Sequence, residues 1–255
     1  MRPTAPRNRS PPRERSPAPS HRAGVVGDRQ GRTCRRDLRE GRARGCFGSP
    51  RAELGENQAE RLFAERGMHA VSNRQISDAA SQGNNAAVCY HFGTRTDLLR
   101  AIEAKHRVPI EQLRAGMLAD LGPSAGLSDW VDCLVRPLTG HLEELGNPSW
   151  YARFAAQAMA DPAYREVVTK DAMSSPYLVQ VIDGITGCLA DLPKRVRYER
   201  IVMARNLLMH TCAEHEGALA ARRATRSPWP RAAEGLTDAI TGLWQAPVRS
   251  TAGIR

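Results

Sequence analysis

From Arg51 onward, apolar residues recur at the three- and four-residue spacing of helices, and almost no stretch alternates in the manner of a β-strand. Gly and Pro residues divide this part of the chain into segments that each have the length of one helix. Such segments bury their apolar stripes by packing helix against helix. The sequence therefore predicts an all-α fold.

The first segment, RAELGENQAERLFAERG, predicts a short helix with one buried stripe. Leu54, Ala59, Leu62 and Phe63 fall on one face at helical spacing. Gly67 follows at the position where a left-handed residue commonly ends a helix.

A second helix is predicted to begin at Ser72. Ser72 to Gln75 has the S-x-x-Q form of a capping box, in which each side chain bonds the other residue's free backbone N–H. Val71 and Ile76 occupy the two positions of a hydrophobic staple. We expect this helix to end near Ala80, because Ser-Gln-Gly then breaks the pattern.

The next stretch, GNNAAVCYHF, predicts a sharp turn and a short helix with a polar outer face. Gly83 permits the reversal, and Asn84 or Asn85 caps the helix. Val88 and Phe92, four residues apart, point toward the core. The outward-facing set is Asn84, Asn85, Ala87, Tyr90 and His91. Each of these residues alone has an ordinary explanation as a cap or a surface side chain, but their convergence on one helix favours hydrogen bonding in a DNA groove.

Another helix is predicted to begin at Thr94, which forms a second capping pair with Asp97 three residues later. Arg95 lies in its first turn, where the helix N-terminus already favours an anion. A DNA phosphate is therefore the expected partner at this position.

The segment AERLFAERGMHAVSNRQISDAAS…AAVCYHFGTRTDLLRAI resembles the DNA-binding domain of TetR-family transcriptional regulators over about fifty residues, Glu53 to Ile102. The shared features are the LFAERG stretch, an Ile in the second helix, the YHF signature and the capped helix after it. The resemblance implies a three-helix helix-turn-helix domain that binds double-stranded DNA. The DNA-binding residues that it implies are Ser72, Arg74, Asn84, Asn85, Ala87, Tyr90, His91, Thr94 and Arg95.

Two features depart from the family pattern. The turn usually reads Ala-Gly-Val-Ser, and here ASQGNNA is about one residue longer. The register of residues 82–87 is therefore open by one position. The position just before the capped helix usually holds Lys, and here Arg95 keeps the charge and adds a fork of donors.

We expect four regions: a tail (1–50), the helix-turn-helix domain (51–100), a larger helical effector-binding and dimerisation domain (101–247), and a flexible carboxy terminus (248–255). The tail carries 13 Arg and 4 acidic residues, a net charge of +9, whereas the rest of the chain carries +1. Its Pro-, Ser- and Arg-rich composition predicts disorder. The tail is either a basic arm that attracts phosphates non-specifically or an extension without a function of its own.

The middle helices concentrate aromatic and Met residues in a chain that is otherwise poor in aromatic residues. In the TetR family such residues line a cavity for a small effector, and Met suits a pocket of irregular shape. The ligand-binding candidates are Trp130, Tyr151, Phe154, Met159 and Tyr177. An aromatic stripe is more often plain core, and that alternative stays open for each residue. No cluster of charges indicates a particular ligand.

The last two helical segments, KRVRYERIVMARNLLMHTCAEHEGALAARR and RAAEGLTDAITGLWQ, each carry apolar residues near one face. The resemblance implies that they form a four-helix homodimer interface, and a helix-turn-helix protein needs two copies to address a palindromic operator. The dimerisation candidates are Ile201, Leu208, Cys212, Leu219, Leu236, Ile240, Leu243 and Trp244. Core packing within one chain is the alternative.

The sequence supports catalysis or metal binding less than it supports DNA binding. His210, Cys212 and His215 are close in sequence, but side chains two positions apart on a helix point about 160° from one another, so the three cannot hold one ion. No phosphate loop, GxSxG or HExxH motif occurs. We therefore expect no catalytic residue, no metal and no cofactor. A non-specific DNA-binding protein that acts through the basic tail, or less readily an all-α enzyme, is the alternative.

The chain has no apolar run of membrane-spanning length and no apolar core of a secretory signal near its beginning. Its 6 Cys residues lack CxxC spacing, which is typical of reduced thiols. We therefore expect a cytoplasmic homodimer that regulates transcription. The simplest such protein is a repressor that a small-molecule effector releases from a palindromic operator.

Overall fold

The structure is a computed structural model that describes residues 50–80, 92–222 and 228–248. All regular structure in these ranges is helical, as the sequence predicts. In chain order the helices are α1 (Pro50–Arg66), α2 (Asn73–Ala79), α3 (Arg95–Ala119), α4 (Leu127–Leu145), α5 (Tyr151–Ala160), α6 (Pro162–Ala172), α7 (Pro176–Cys188), α8 (Lys194–Ala220) and α9 (Trp229–Gln245). None of these helices has both the length and the apolar character needed to cross a bilayer.

Helix α1 buries most of the predicted stripe. Ala59 and Phe63 are fully buried, and Leu62 nearly so. Leu54 was predicted to share this face but is 43% exposed, because the buried face passes through Glu56 at the start of the helix instead. The apolar spacing therefore located the helix correctly but misplaced its first turn.

The predicted ends of the helices around the α1–α2 link are confirmed. Gly67 has a φ of +87°, and its N–H donates to the Phe63 carbonyl at 2.9 Å. Ser72 is the N-cap of α2: its Oγ accepts the Gln75 N–H at 3.3 Å, and Gln75 Oε1 accepts the Ser72 N–H at 2.7 Å. Helix α2 ends at Ala79, as expected. Local backbone hydrogen bonding is enough to define these ends.

Helix α3 begins with the second predicted capping box. Thr94 Oγ1 accepts the Asp97 N–H at 3.1 Å, and Asp97 Oδ2 accepts the Thr94 N–H at 3.2 Å. The helix continues through Pro109 without a break. A Pro in a helix interior costs about 3 kcal/mol. Burial of residues on both sides, including His106 and Ile110, keeps the two halves packed as one helix.

The predicted domain boundary between residues 100 and 101 falls inside α3. This helix contacts α1 as well as α4, α6 and α7. Leu99 and Ile102, on either side of the predicted boundary, are both buried. One continuous helix therefore runs from the predicted helix-turn-helix region into the predicted larger helical region.

The remaining helices pack in pairs. Helix α4 lies along α9, α5 along α8, and α3 along α4. Val131, Phe154 and Ile240 come from three of these helices and are fully buried in a common core. Buried Glu216 on α8 accepts N–H groups from the first turn of α5, including that of Ala152 at 3.2 Å. A carboxylate at this position serves as an N-cap supplied by a neighbouring helix.

Candidate DNA-binding region and ligand cavity

Three of the predicted DNA-binding residues lie exposed at the beginnings of α2 and α3. Ser72 and Thr94 are N-caps whose hydroxyls take part in capping boxes. Arg74, in the first turn of α2, has a side chain that is 75% exposed, and its Nε lies 3.6 Å from Asp78. A guanidinium with so loose an ion pair is available for a phosphate.

The fourth predicted contact, Arg95, points into the protein. Its guanidinium donates to the Val71 carbonyl at 2.7 Å and to the Met68 carbonyl. Its Cζ also lies 4.7 Å from the centroid of the buried Phe63 ring. Arg95 therefore fastens the start of α3 to the α1–α2 link. This geometry favours a structural role over the phosphate contact that the sequence predicts.

The predicted base-reading residues lie outside the described residues. They are Asn84, Asn85, Ala87, Tyr90 and His91. Phe92, which directly follows them, is buried as predicted, and so is Ile76 on α2. The buried residues on either side of the recognition segment are therefore described, while the DNA contacts of the segment itself remain a prediction.

A cavity of about 320 Å³ lies among helices α3 to α9. Apolar side chains such as Ile110, Leu138 and Ile185 form most of its wall. Two of the predicted ligand-binding residues, Tyr151 and Met159, also line it. A largely apolar cavity of this volume is typical of sites for small organic molecules.

The other three ligand-binding candidates do not line this cavity. Phe154 is fully buried and stacks against Phe63 of α1, with the ring centroids 6.1 Å apart. Trp130 packs so closely on Gly184 of α7 that a Cβ there would overlap its ring. Tyr177 lies in the first turn of α7 and is 42% exposed. Aromatic composition alone could not separate core, interhelix and surface positions.

The sequence patterns did not predict the polar groups of the cavity. Glu103 accepts the Tyr151 hydroxyl at 3.3 Å, but its Oε1 is buried without a hydrogen-bond partner in the described structure. Burial raises the pKa of Glu103 to about 7, although the bond from Tyr151 acts in the opposite direction. The indole N–H of Trp244 is buried and lacks a partner within the same ranges. The sequence feature that could have indicated Glu103 is its helical spacing from Ile110 and Arg114, which places the three residues on one face.

The other carboxylates that line the cavity have cationic partners. Glu111 forms an ion pair with Arg114. Asp171 Oδ2 accepts the Arg100 Nε–H at 3.2 Å. Across the described ranges, Glu103 is thus the cavity carboxylate that lacks a hydrogen bond from Arg or Lys.

A buried chain of hydrogen bonds connects α1 with the cavity wall. His106 Nε2 lies 2.9 Å from Glu60 Oε2, and His106 Nδ1 lies 2.8 Å from His141 Nε2. Lys105 donates to the same Glu60 oxygen at 2.6 Å. Tyr151 stacks on His106 with the ring centroids 3.9 Å apart. The cavity wall and the first helix of the DNA-binding region therefore share one network.

The direction of these hydrogen bonds follows from the charges. Burial lowers the pKa of His106, and it lowers the pKa of His141 to about 4. Burial acts to raise the pKa of Glu60, but the hydrogen bond from His106 and the charge of Lys105 outweigh it, so the pKa is lowered. A neutral His106 that donates to the Glu60 carboxylate through Nε2 must accept through Nδ1, so His141 donates through Nε2.

Most of the predicted dimerisation residues lie in the chain's own core. The buried ones are Leu208, Cys212, Leu236, Ile240 and Trp244. Leu219 and Leu243 pack partly buried against the same core, and Ile201 is 40% exposed but lines the cavity. The apolar stripes of α8 and α9 face α5 and α4, which leaves the five buried residues unable to reach a second copy.

The structure does not bring the side chains of His210, Cys212 and His215 together as a metal-binding group. Burial raises the pKa of the Cys212 thiol to about 12, so almost no thiolate exists at neutral pH. His210 is exposed, whereas the His215 ring packs edge-on against Trp229 with centroids 4.5 Å apart. Within the described residues, no three His, Cys, Asp or Glu side chains are placed to hold a metal ion.

Comparisons with known proteins agree with this arrangement. A family model described as "Bacterial regulatory proteins, tetR family" matches residues 57–102. The structure resembles that of a TetR-like transcriptional regulator from Rhodococcus sp. RHA1, with a TM-score of 0.50, 12% identity, and coverage of 76% of this chain and 93% of that chain. At this identity the likeness concerns the fold alone. No curated protein sequence matches the chain.

The capped α2 and α3, the matched segment and the helical region behind them define a helix-turn-helix regulator of transcription. Its residues 57–102 match the tetR family of bacterial regulatory proteins, and the described helices have the fold of a TetR-like regulator.

Proposed function

We propose that the chain is a homodimeric, sequence-specific repressor that leaves a palindromic operator when a small molecule fills the cavity. The observation that carries this proposal is the participation of α3 in both regions. Its first turn is fastened to the α1–α2 link by Arg95, and farther along it lines the cavity with Glu103 and Ile110. A helix shared by both sites gives each ligand a way to favour one of two protein conformations.

The buried hydrogen-bond chain offers a second connection between cavity and DNA-binding region. Tyr151 lines the cavity and stacks on His106, which in turn bonds Glu60 of α1. A ligand that displaces the Tyr151 ring must disturb this stacking, and the change reaches α1 through one side chain. Effector and operator then weaken each other's binding by the same factor.

A homodimer needs outward-facing residues, and apart from Ile201 those that α8 and α9 expose differ from the residues predicted from sequence. Tyr198 and Met203 of α8 are 69% and 52% exposed. On α9, Gly235, Ala239 and Gly242 lie exposed at four- and three-residue spacing. Such a narrow face permits the close approach of a second helix. These outer faces are the proposed dimer interface, and a two-fold pair suits half-sites about 34 Å apart.

The dimer is tested by placing a bulky charge on the outer face of α9. We expect Ala239→Arg to convert the dimer to a monomer in sedimentation analysis while helicity is retained. Ala160→Arg, at an exposed position on α5, is the matched control and should leave the mass unchanged. A dimeric Ala239→Arg protein would place the interface elsewhere.

The regulator function is tested by selection of random double-stranded DNA with the purified full chain. An enriched palindrome is the expected result. Asn85→Ala and Tyr90→Ala should then weaken operator binding by about 1–3 kcal/mol each. Arg195→Ala removes an exposed positive charge from α8 and should have no such effect. Salt-sensitive binding without any enriched sequence would instead favour the non-specific alternative.

A further inference from the structure

Glu103 presents a buried, incompletely bonded carboxyl group to the cavity. Tyr151 donates to one oxygen, and the other oxygen is buried without a partner in the described part of the chain. A buried acceptor left without a hydrogen bond is unfavourable, and a ligand that supplies a donor removes that cost. The carboxyl therefore selects ligands that carry an N–H or O–H group.

We propose that the effector is an apolar organic cation whose ammonium group donates a hydrogen bond to Glu103. This inference rests on the proposed function, because it assigns a ligand to the cavity of the proposed repressor. The apolar body fills the space lined by residues such as Leu138 and Ile185. The unpartnered Trp244 indole N–H adds a place for an acceptor group on the same ligand.

A cation suits the charges of the wall better than an anion does. Glu111 and Asp171 are already matched by Arg114 and Arg100, whereas Glu103 has no such partner in the described structure. An ionised carboxylate in apolar surroundings repels an anionic ligand and attracts a cationic one, because little water screens the interaction.

The basic side chains of the wall are engaged elsewhere. Arg107 donates to the Asp171 carbonyl at 3.3 Å and to Ser174 Oγ at 3.2 Å. Arg205 donates to Asn206 Oδ1 at 3.2 Å. Among the charged side chains of the wall in the described residues, Glu103 is therefore the one with a buried atom still open to a bond from a ligand.

The proposal makes binding depend on pH. The ionisable groups that face Glu103 are Tyr151 from α5, Glu60 from α1, Arg107 on α3 and Asp171 from α6. Burial raises the pKa of Tyr151 well above 10, and the pKa of Glu60 is lowered, so neither changes charge between pH 6 and 8. With a pKa of about 7, Glu103 is ionised to roughly a tenth at pH 6 and roughly nine tenths at pH 8. Affinity for a permanently protonated amine should rise about tenfold over this range.

Three naphthalene probes of similar size test the charge preference: naphthalen-1-ylmethylamine, naphthalen-1-ylmethanol and 1-naphthoate. Titration calorimetry on the full chain at pH 8 is expected to show at least tenfold tighter binding of the amine than of the other two. The isosteric variant Glu103→Gln should lose at least tenfold in amine affinity and less than threefold in alcohol affinity. Glu144→Gln, at an exposed position on α4, is the matched control and should bind like the parent.

Several results would overturn the proposal: binding of the alcohol or the carboxylate as tight as that of the amine, no binding of any probe, or amine affinity that is unchanged in Glu103→Gln. Amine affinity of the parent that stays constant from pH 6 to 8 would also overturn it, and this measurement needs no variant. A failure of the repressor function gives a different pattern. In that case the amine binds in a Glu103-dependent manner, but it leaves the affinity for a selected operator unchanged.

Discussion

Replacement of Arg95 by Ala is expected to lower the free energy of unfolding by about 3 kcal/mol. The guanidinium is half-buried, donates to the Met68 and Val71 carbonyls, and lies 4.7 Å from the centroid of the Phe63 ring. A hydrogen bond from a charged donor contributes about 1.5–3 kcal/mol when buried, and partial exposure reduces two such bonds to about 2 kcal/mol together. The cation–π contact adds about 0.5–1 kcal/mol.

The assay is urea denaturation of purified protein followed by circular dichroism. Arg95→Lys retains the positive charge but cannot bond both carbonyls with a planar fork, so it should lose about 2 kcal/mol. Arg74→Ala is the matched comparison, because that side chain is 75% exposed. It should change stability by less than about 0.5 kcal/mol while it weakens DNA binding.

The opposite pattern would refute this reasoning. If Arg95→Ala unfolds at the parent's urea concentration while the salt dependence of DNA binding falls by about one counterion, the guanidinium contacts phosphate rather than the α1–α2 link. Wild-type stability of Arg95→Lys combined with weaker binding to every DNA sequence would lead to the same conclusion.

Three further predictions concern His141, Glu103 and Gly184. Burial lowers the pKa of His141 from 6.5 in the unfolded chain to about 4 in the folded one, so the free energy of unfolding should fall by up to about 3 kcal/mol as the pH drops from 6.5 to 4. The variant His141→Asn should flatten this part of a curve of stability against pH, and an unchanged curve would contradict the assignment. The pKa of Glu103 is raised instead, from 4.5 in the unfolded chain to about 7 in the folded one, so its ionisation lowers stability as the pH rises. Glu103→Gln should therefore be more stable than the parent by up to about 3 kcal/mol at pH 8 and should gain little at pH 4. Denaturation at both pH values measures the difference. Gly184→Ala should lower stability by about 1–3 kcal/mol, because the new Cβ meets the Trp130 ring. In the control Gly187→Ala, on the same helix, the new Cβ meets nothing within 4 Å, so this variant should be neutral or slightly stabilising. Equal melting temperatures for the two variants would show that the ring moves aside freely.

The sequence by itself determined the features that depend on neighbouring residues. The capping boxes at Ser72 and Thr94 and the end of α1 at Gly67 could be predicted, because each is made by backbone and side-chain groups within four residues. The helical class and the family resemblance of the first region were predictable for the same reason, since they rest on short motifs.

The tertiary structure decided which way each helix faces. Leu208 and Ile240 were equally compatible with a dimer interface and with core packing, and only the position of α5 and α4 turned them inward. Arg95 carried the expected charge at the expected place, but its direction depends on the carbonyls of the α1–α2 link, more than twenty residues earlier.

The chemistry of the cavity also depends on tertiary contacts. In the sequence Glu103 is one acidic residue among many, and its raised pKa arises because several helices close around it and supply a single hydrogen bond from Tyr151. Burial and partnership are properties of groups brought together from distant parts of the chain, so helical periodicity can place Glu103 on a face but cannot tell what covers that face.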